Sequence, residues 1–447
     1  MTVHQEGPEQ EHKRPGTKQH AQIDLILRAF NGEAGVDPPD WRESGVVRYL
    51  YRRGSILVRD SDIDRVQAVF DGAAEVQDSL INGLTRLGTP VPTLEALDRI
   101  EAALGLGVAS PDHVLSITPL LACPATEPEE VPGSPEPDPA PSASHCDGRG
   151  IVVSIVDTGW LPDAPAQHGW LHDVDGDPEI VLDGQGHIRP YVGHGTFIAG
   201  VLRCMAPAAG IYVEGALARA GATFESDLVR QLDDALRRTP DVISLSVGSR
   251  SRHDLALIGF DVFYESRLRH LKGVVLVAAA GNDGDRGPFW PAAYPWAVSV
   301  GALGASWRSR APFSNHGRWV DVYSPGEGLV NAYATGTYVC REPPHAGERR
   351  VFAGMARWSG TSFATPLVAG LIAARMSATG ENGRQAADSL LQRARAQALH
   401  GLGAVLYPGD ACGDGEHGRH SCCAGHCGHS GCHGHSGHST HHCRDTG

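Results

Sequence analysis

Apolar positions change period twice along this chain. Between residues 46 and 117 short runs alternate with helical faces: Val46 to Asp60 reads as one or two strands, and Ser61 then caps a helix with Ile63, Val66, Val69 and Phe70 on one side. Gly83 to Leu87 is strand-like, Thr93 starts a helix with Leu94, Leu97, Ile100 and Leu104, Gly105 stops it, and His113 to Ile117 is a last strand. Two strand–helix–strand units in so short a span predict a small α+β domain of ferredoxin-like type. From Ile151 onward the runs are longer and almost free of polar residues. Ile151 to Val156, Ile211 to Glu214, Val242 to Val247, Val274 to Ala280 and Ala297 to Ala302 read as strands covered on both faces. Between them Phe197, Ile198, Val201, Leu202 and Met205 share a helical face, and Leu228, Leu232 and Leu236 repeat behind a Ser226–Asp227 cap. That alternation predicts an α/β fold with a doubly wound, mostly parallel sheet flanked by helices.

Three stretches break the periodicity and set the expected boundaries. Residues 1–44 read as a polar extension, 45–118 as the small domain, 119–146 as a Pro-rich linker, 147–400 as the α/β domain and 401–447 as a low-complexity tail. The linker, typified by Pro-Gly-Ser-Pro-Glu-Pro from Pro132, has too little apolar surface to fold by itself. The tail holds six Cys and nine His between Cys412 and Cys443, with hardly a large apolar residue to build a core.

With 38 Lys and Arg against 52 Asp and Glu, the net charge of -14 excludes nucleic acid and anionic membranes as expected partners. No run is long enough to span a bilayer, and the polar start, Met1 to His20, is no secretory signal. A cytoplasmic location is the default expectation, under which the ten cysteines are thiols or metal ligands before they are disulfides.

The chemistry sits where strands end and helices begin. Ile155-Val156-Asp157-Thr158-Gly159, then Gly193-His194-Gly195-Thr196, then Gly360-Thr361-Ser362-Phe363-Ala364-Thr365-Pro366 each set a reactive side chain among small residues. A serine hydroxyl needs a base within hydrogen-bond reach, and the base needs a group that fixes its tautomer. Ser362, His194 and Asp157 can fill these roles, with Ser362 at a helix N-terminus whose dipole favours developing negative charge. Taken singly, each residue is as well read as a helix cap, a core histidine or a turn aspartate. Together, in the order Asp, His, Ser, they resemble the subtilisin-like serine proteases, the subtilases.

The resemblance implies a serine endopeptidase acting on polypeptides through an acyl-enzyme, with no cofactor required. It also implies that Asn282, after Ala278-Ala279-Ala280-Gly281, donates to the oxyanion. Ser246-Val247-Gly248 and Ala279-Ala280-Gly281 are then the two walls of the pocket for the residue before the scissile bond. Phe289 falls near the base of that pocket and is expected to make it shallow. Residues 45–118 resemble, in place and pattern, the propeptide domain of the family, which makes the chain's own N-terminal domain an intramolecular inhibitor. The tail matches no metal-binding motif by spacing, and Zn, Ni or Cu on it is expected to be adventitious. The competing reading is a metal-binding or sequestering protein with an inert or only self-cleaving protease-like domain.

Overall fold

A computed structural model describes residues 16–117, 127–133 and 135–411. The first part runs α1 (Gly16–Ala29), β1 (Ala34–Asp37), α2 (Trp41–Ser44), β2 (Tyr49–Arg59), α3 (Ile63–Val69), β3 (Val76–Ile81), β4 (Leu84–Gly88), α4 (Thr93–Leu104) and β5 (Ala109–Ser116). Strands β3-β4-β2-β5 lie side by side, all antiparallel, which is the ferredoxin-like order. Ile56, Val58, Val66, Leu97 and Ile100 close its core.

The second part continues with β6 (Val152–Asp157), α5 (Ala164–Gln167), β7 (Val174–Gly176), α6 (His194–Met205), β8 (Gly210–Gly215), β9 (Ala222–Phe224), α7 (Glu225–Ala235), β10 (Val242–Leu245) and α8 (Ile258–Ser266). It ends with β11 (Val275–Ala279), β12 (Ala297–Leu303), β13 (Val322–Pro325), β14 (Leu329–Val339), β15 (Arg349–Trp358), α9 (Thr361–Thr379) and α10 (Gly383–Ala396). Seven strands form one parallel sheet in the order β13-β12-β11-β10-β6-β8-β7. The expected α/β fold with its small α+β companion is therefore the observed one. β9 lies outside the parallel sheet: it extends the N-terminal sheet by pairing with β5, Val114 opposite Phe224 and Ser116 opposite Ala222.

Several boundaries differ from those expected. Residues 16–44 are not a mere extension, because Ile23 and Ile26 of α1 and Phe30 just past its end pack with Trp41, Leu50, Val114 and Phe224. Asp24 and Arg28, which interrupt the apolar pattern, are less buried. Nor is 119–146 a free linker where it is described. Too poor in apolar residues to fold alone, it borrows main-chain partners from the β14–β15 hairpin: Glu129 exchanges two hydrogen bonds with Arg357, at 2.8 and 2.9 Å, and Asp138 does so with Val330, at 2.9 and 3.0 Å. The packed part also outlasts residue 400, since Val405 and Leu406 lie against Tyr323. Ser61 caps no helix, as α3 begins after Asp62, and Ser226 donates to Asp112 at 2.7 Å instead of capping α7. Cys204 and Cys340 are buried thiols as expected, whereas Cys146 is disulfide-bonded. Among the described residues no helix is long and apolar enough to cross a membrane.

Candidate active site

Asp157 ends β6 at the carboxyl edge of the sheet, where ligands of such folds gather. Its backbone carbonyl accepts from Ala216 and Leu217, at 2.8 and 3.0 Å, and the Thr158 N–H donates to Oδ1 at 2.7 Å. The same oxygen lies 2.7 Å from Nδ1 of His194, the first residue of α6. A carboxylate can only accept, so Nδ1 carries the proton and Nε2 is left basic. Glycines make this approach available. A Cβ on Gly195 would stand 2.4 Å from the Gly159 carbonyl oxygen, and the Gly195 N–H donates to Thr158 Oγ1 at 3.1 Å. The imidazole is wedged between rings, with centroids 5.3 Å from Trp358 and 5.2 Å from Phe363.

Phe363 links this pair to Ser362, the second residue of α9. The Ser362 carbonyl accepts from Ser246 Oγ at 3.0 Å, which ties the start of α9 to the segment after β10. Among the described residues the Ser362 hydroxyl makes no hydrogen bond to His194, a looseness common to such pairs before substrate arrives. Asn282, three residues past β11, accepts at Oδ1 from both the Thr361 N–H (2.8 Å) and Thr361 Oγ1 (3.0 Å). Two donors on that oxygen fix the amide's orientation and leave its NH2 end to donate elsewhere.

Ser246, Val247, Gly248, Ala279, Gly281, Asn282, Phe289 and Ser362 line one cavity of about 10 Å3, together with Thr361 and with Ser116 and Ile117 of the N-terminal domain. The expected wall residue Ala280 is not among them. It lies just past β11, and its carbonyl accepts from Asn315 Nδ2 at 2.8 Å. Phe289 closes the cavity: a Cβ on Gly248 would stand 2.3 Å from its ring and one on Gly281 2.9 Å, so the ring lies between the two walls. Ser116 enters the same cleft as a strand. Its N–H donates to the Gly248 carbonyl at 3.0 Å, its carbonyl accepts from Gly248 at 3.2 Å, and Ile117 donates to Gly221 at 3.0 Å.

Four further residues shape the site, and of these only Thr361 and Phe363 carried a signal in the sequence, their place in the serine stretch. Trp358 and Phe363 brace the imidazole, Thr361 orients Asn282, and Asn315 holds the turn after it by accepting from Asp283 and Asp285 at 3.0 Å each. Glu179 is a further polar group at the site: its Oε2 accepts the Gly193 N–H at 2.8 Å, and burial pushes its carboxyl up to about 7, with Asp157 adding to the rise. No group of three or more His, Cys, Asp or Glu among the described residues is placed to hold a metal ion, and the His/Cys tail lies outside those residues.

Residues 148–404, more than half of the chain, match the model of the subtilase family. The chain belongs to this family. Relatives include an intracellular serine protease of Paenibacillus polymyxa, 29% identical over 55% of this chain and 72% of that protein. Subtilisin DY of Bacillus licheniformis is 30% identical over 52% of this chain and 78% of its own length. Fervidolysin from Fervidobacterium pennivorans shares the fold, with a TM-score of 0.56 at 19% identity, covering 81% of this chain and 61% of the other. This subtilase is thus a serine endopeptidase, and polypeptides are its substrates.

Proposed function

We propose that Ser362 is the nucleophile of this subtilase, His194 its general base and then acid, Asp157 the group that orients His194, and Asn282 a donor to the oxyanion. The 2.7 Å contact between His194 Nδ1 and Asp157 Oδ1 is the observation that carries this reading, because it presents a basic Nε2 beside the start of α9. Ser362 Oγ adds to the peptide carbonyl as Nε2 takes its proton. The imidazolium returns that proton to the leaving amine, and water releases the acyl group by the same route. The negative oxygen that forms meanwhile meets the Asn282 amide and the N–H groups opening α9. No metal is needed for these steps, and Zn, Ni or Cu on the His/Cys tail is adventitious.

The N-terminal domain acts on this reading as an intramolecular inhibitor. Ser116 and Ile117 hold the edges of the cleft with the main-chain bonds that an added substrate strand would make. From Glu129 the chain is pinned to the β14–β15 hairpin, so a break between 118 and 127 frees the domain and leaves the strap in place. A fluorophosphonate label with intact mass and N-terminal sequencing tests both parts. The wild type should be labelled at Ser362 and begin between 118 and 127, whereas Ser362→Ala should stay unlabelled and full length. A wild type that takes no label would leave the metal-binding alternative in its place.

A further inference from the structure

A cavity of about 500 Å3 opens beside the base rather than beneath the nucleophile. Tyr191, Leu217 and Gly221 form one side of it, Thr158 and Glu179 the other, and Leu25 and Ala29 of α1 also line it. Ile117 sits at its mouth: a Cβ on Gly221 would be 2.8 Å from Ile117 Cδ1 and 3.1 Å from Tyr191 Cδ2, and Ile117 shares an apolar cluster with Tyr191 and Leu217. The subsite that receives Ile117 therefore continues into a space much larger than isoleucine fills.

Glu179 is the chemical feature of that space. Its carboxylate accepts the Gly193 N–H and the Thr158 hydroxyl, yet among the described residues no Arg, Lys or His lies within 4.0 Å of it. The other charged groups on the cavity are engaged or peripheral. Asp177 accepts from Tyr212 and from the Gly215 N–H, Arg219 lies 3.4 Å from Glu33, and Arg189 is exposed. A half-buried carboxylate without a cation is costly, and a ligand that brings one offsets the cost. Lysine has the needed form, an apolar stem for Tyr191 and Leu217 and an ammonium at its end.

We propose that Glu179 makes the Ile117 subsite select substrates with a lysine side chain at that position. The inference rests on the reading of Ser116 and Ile117 as a bound substrate strand. Its test uses anilide reporters carrying residues 114–118 with lysine, norleucine or isoleucine at the 117 position, cut by the full chain and by its Glu179→Gln variant. Lysine should exceed norleucine in kcat/KM by about tenfold, as one compensated charge would give, and Glu179→Gln should bring the ratio near one. A ratio at or below one in the wild type, or one that Glu179→Gln leaves unchanged, overturns the proposal. A second measurement is independent of turnover: thermal unfolding of the full Ser362→Ala chain with Ile117→Lys or Ile117→Met, each with and without Glu179→Gln. The lysine variant should lose about 2–4 °C more than the methionine variant when Glu179 is replaced. Additive effects overturn the selectivity. Should the reporters remain uncut and Ser362 unlabelled, the protease reading falls, and the double-mutant cycle still decides the role of Glu179.

Discussion

Around β6 and β10 the peptidase core is closed by carbon: Val153, Ile155, Val242, Ile243, Leu245 and Val277 are buried, and α6 and α9 cover the sheet with further apolar side chains. The joint between that core and the N-terminal domain adds charge to carbon: Leu57, Leu84 and Leu115 pack with Leu228, Val229 and Leu232, and ion pairs cross the same boundary. Arg252 reaches Glu101 and Asp98 at 2.6 and 2.5 Å, Arg52 lies 2.7 Å from Asp227, Arg59 pairs with Glu265 at 2.6 Å, and Arg230 with Asp78 at 2.9 Å. His113 Nδ1 meets Glu225 across the same boundary at 3.1 Å. The exposed pairs among these, Arg59 with Glu265 and Arg230 with Asp78, each stabilise by less than about 1 kcal/mol and weaken with salt, whereas each buried aliphatic side chain contributes about 1.5–3 kcal/mol. The core is therefore closed by carbon, whereas the joint adds to its apolar contacts a set of charged pairs that fix one domain's orientation on the other.

The core side is best broken at the oxyanion. Thr361 holds Asn282 by its acceptor end, so on the proposed mechanism Asn282→Ala removes an oriented donor to the oxyanion, together with the acceptor of the Thr361 N–H and hydroxyl. The expected loss is roughly 10²–10³ in kcat with KM nearly kept. Equal loss through KM alone would move Asn282 to substrate binding. A smaller effect is expected from Phe289→Gly. With the ring gone from between Gly248 and Gly281, reporters ending in Phe or Leu before the scissile bond should gain on those ending in Ala by roughly 10- to 100-fold. An unchanged order would mean that the ring does not limit the pocket.

The joint is broken by Arg252→Ala, which removes contacts to Glu101, Asp98 and Tyr49 at once. In the Ser362→Ala background, hydrogen exchange at the amides of Ser116 and Ile117 should rise about tenfold, while the β10 and β11 amides stay protected. If both sets rise together, the two regions unfold as one and the contrast between them fails.

Sequence made the core legible and the joint nearly invisible, for physical reasons. Asp157, His194 and Ser362 lie at strand and helix ends flanked by small residues, a local pattern that needs no knowledge of the fold. The parallel strands read as plain apolar runs because helices cover both faces. Phe289 could be placed at the pocket because its neighbours mark the segment, but that its ring fills the gap between two glycines is a tertiary fact. Arg252, Glu101 and Asp112 look like ordinary surface charges until the two domains meet. α1 was hidden because its buried apolar face is narrow, with Ile23 and Ile26 its fully buried apolar positions among the described side chains, and the strap around 129–138 because it pairs with main-chain atoms of a distant hairpin.

The smallest expected effect lies where the two regions touch, at Glu179, which hangs from the core on the Gly193 N–H and shares its cavity with α1. Burial raises this carboxyl from 4.5 to about 7, so the folded chain holds the proton more tightly than the unfolded one. Below pH 4.5 both states are protonated and the residue has no pH-linked effect. Between 4.5 and 7 the unfolded state ionises first and stability falls, and above 7 the full penalty is present. Fully buried, such a shift would correspond to about 3 kcal/mol; for a side chain only half-buried, about 1 kcal/mol is the fitting magnitude. Glutamine keeps an acceptor for Gly193 without the charge. Glu179→Gln should therefore raise the melting temperature by about 2–4 °C at pH 8 and leave it unchanged at pH 4.5, with the gain appearing as pH rises through that window. A loss at pH 8 would mean that the folded chain already supplies Glu179 with a cation, and the cavity beside His194 would then have no unmet charge to offer a substrate.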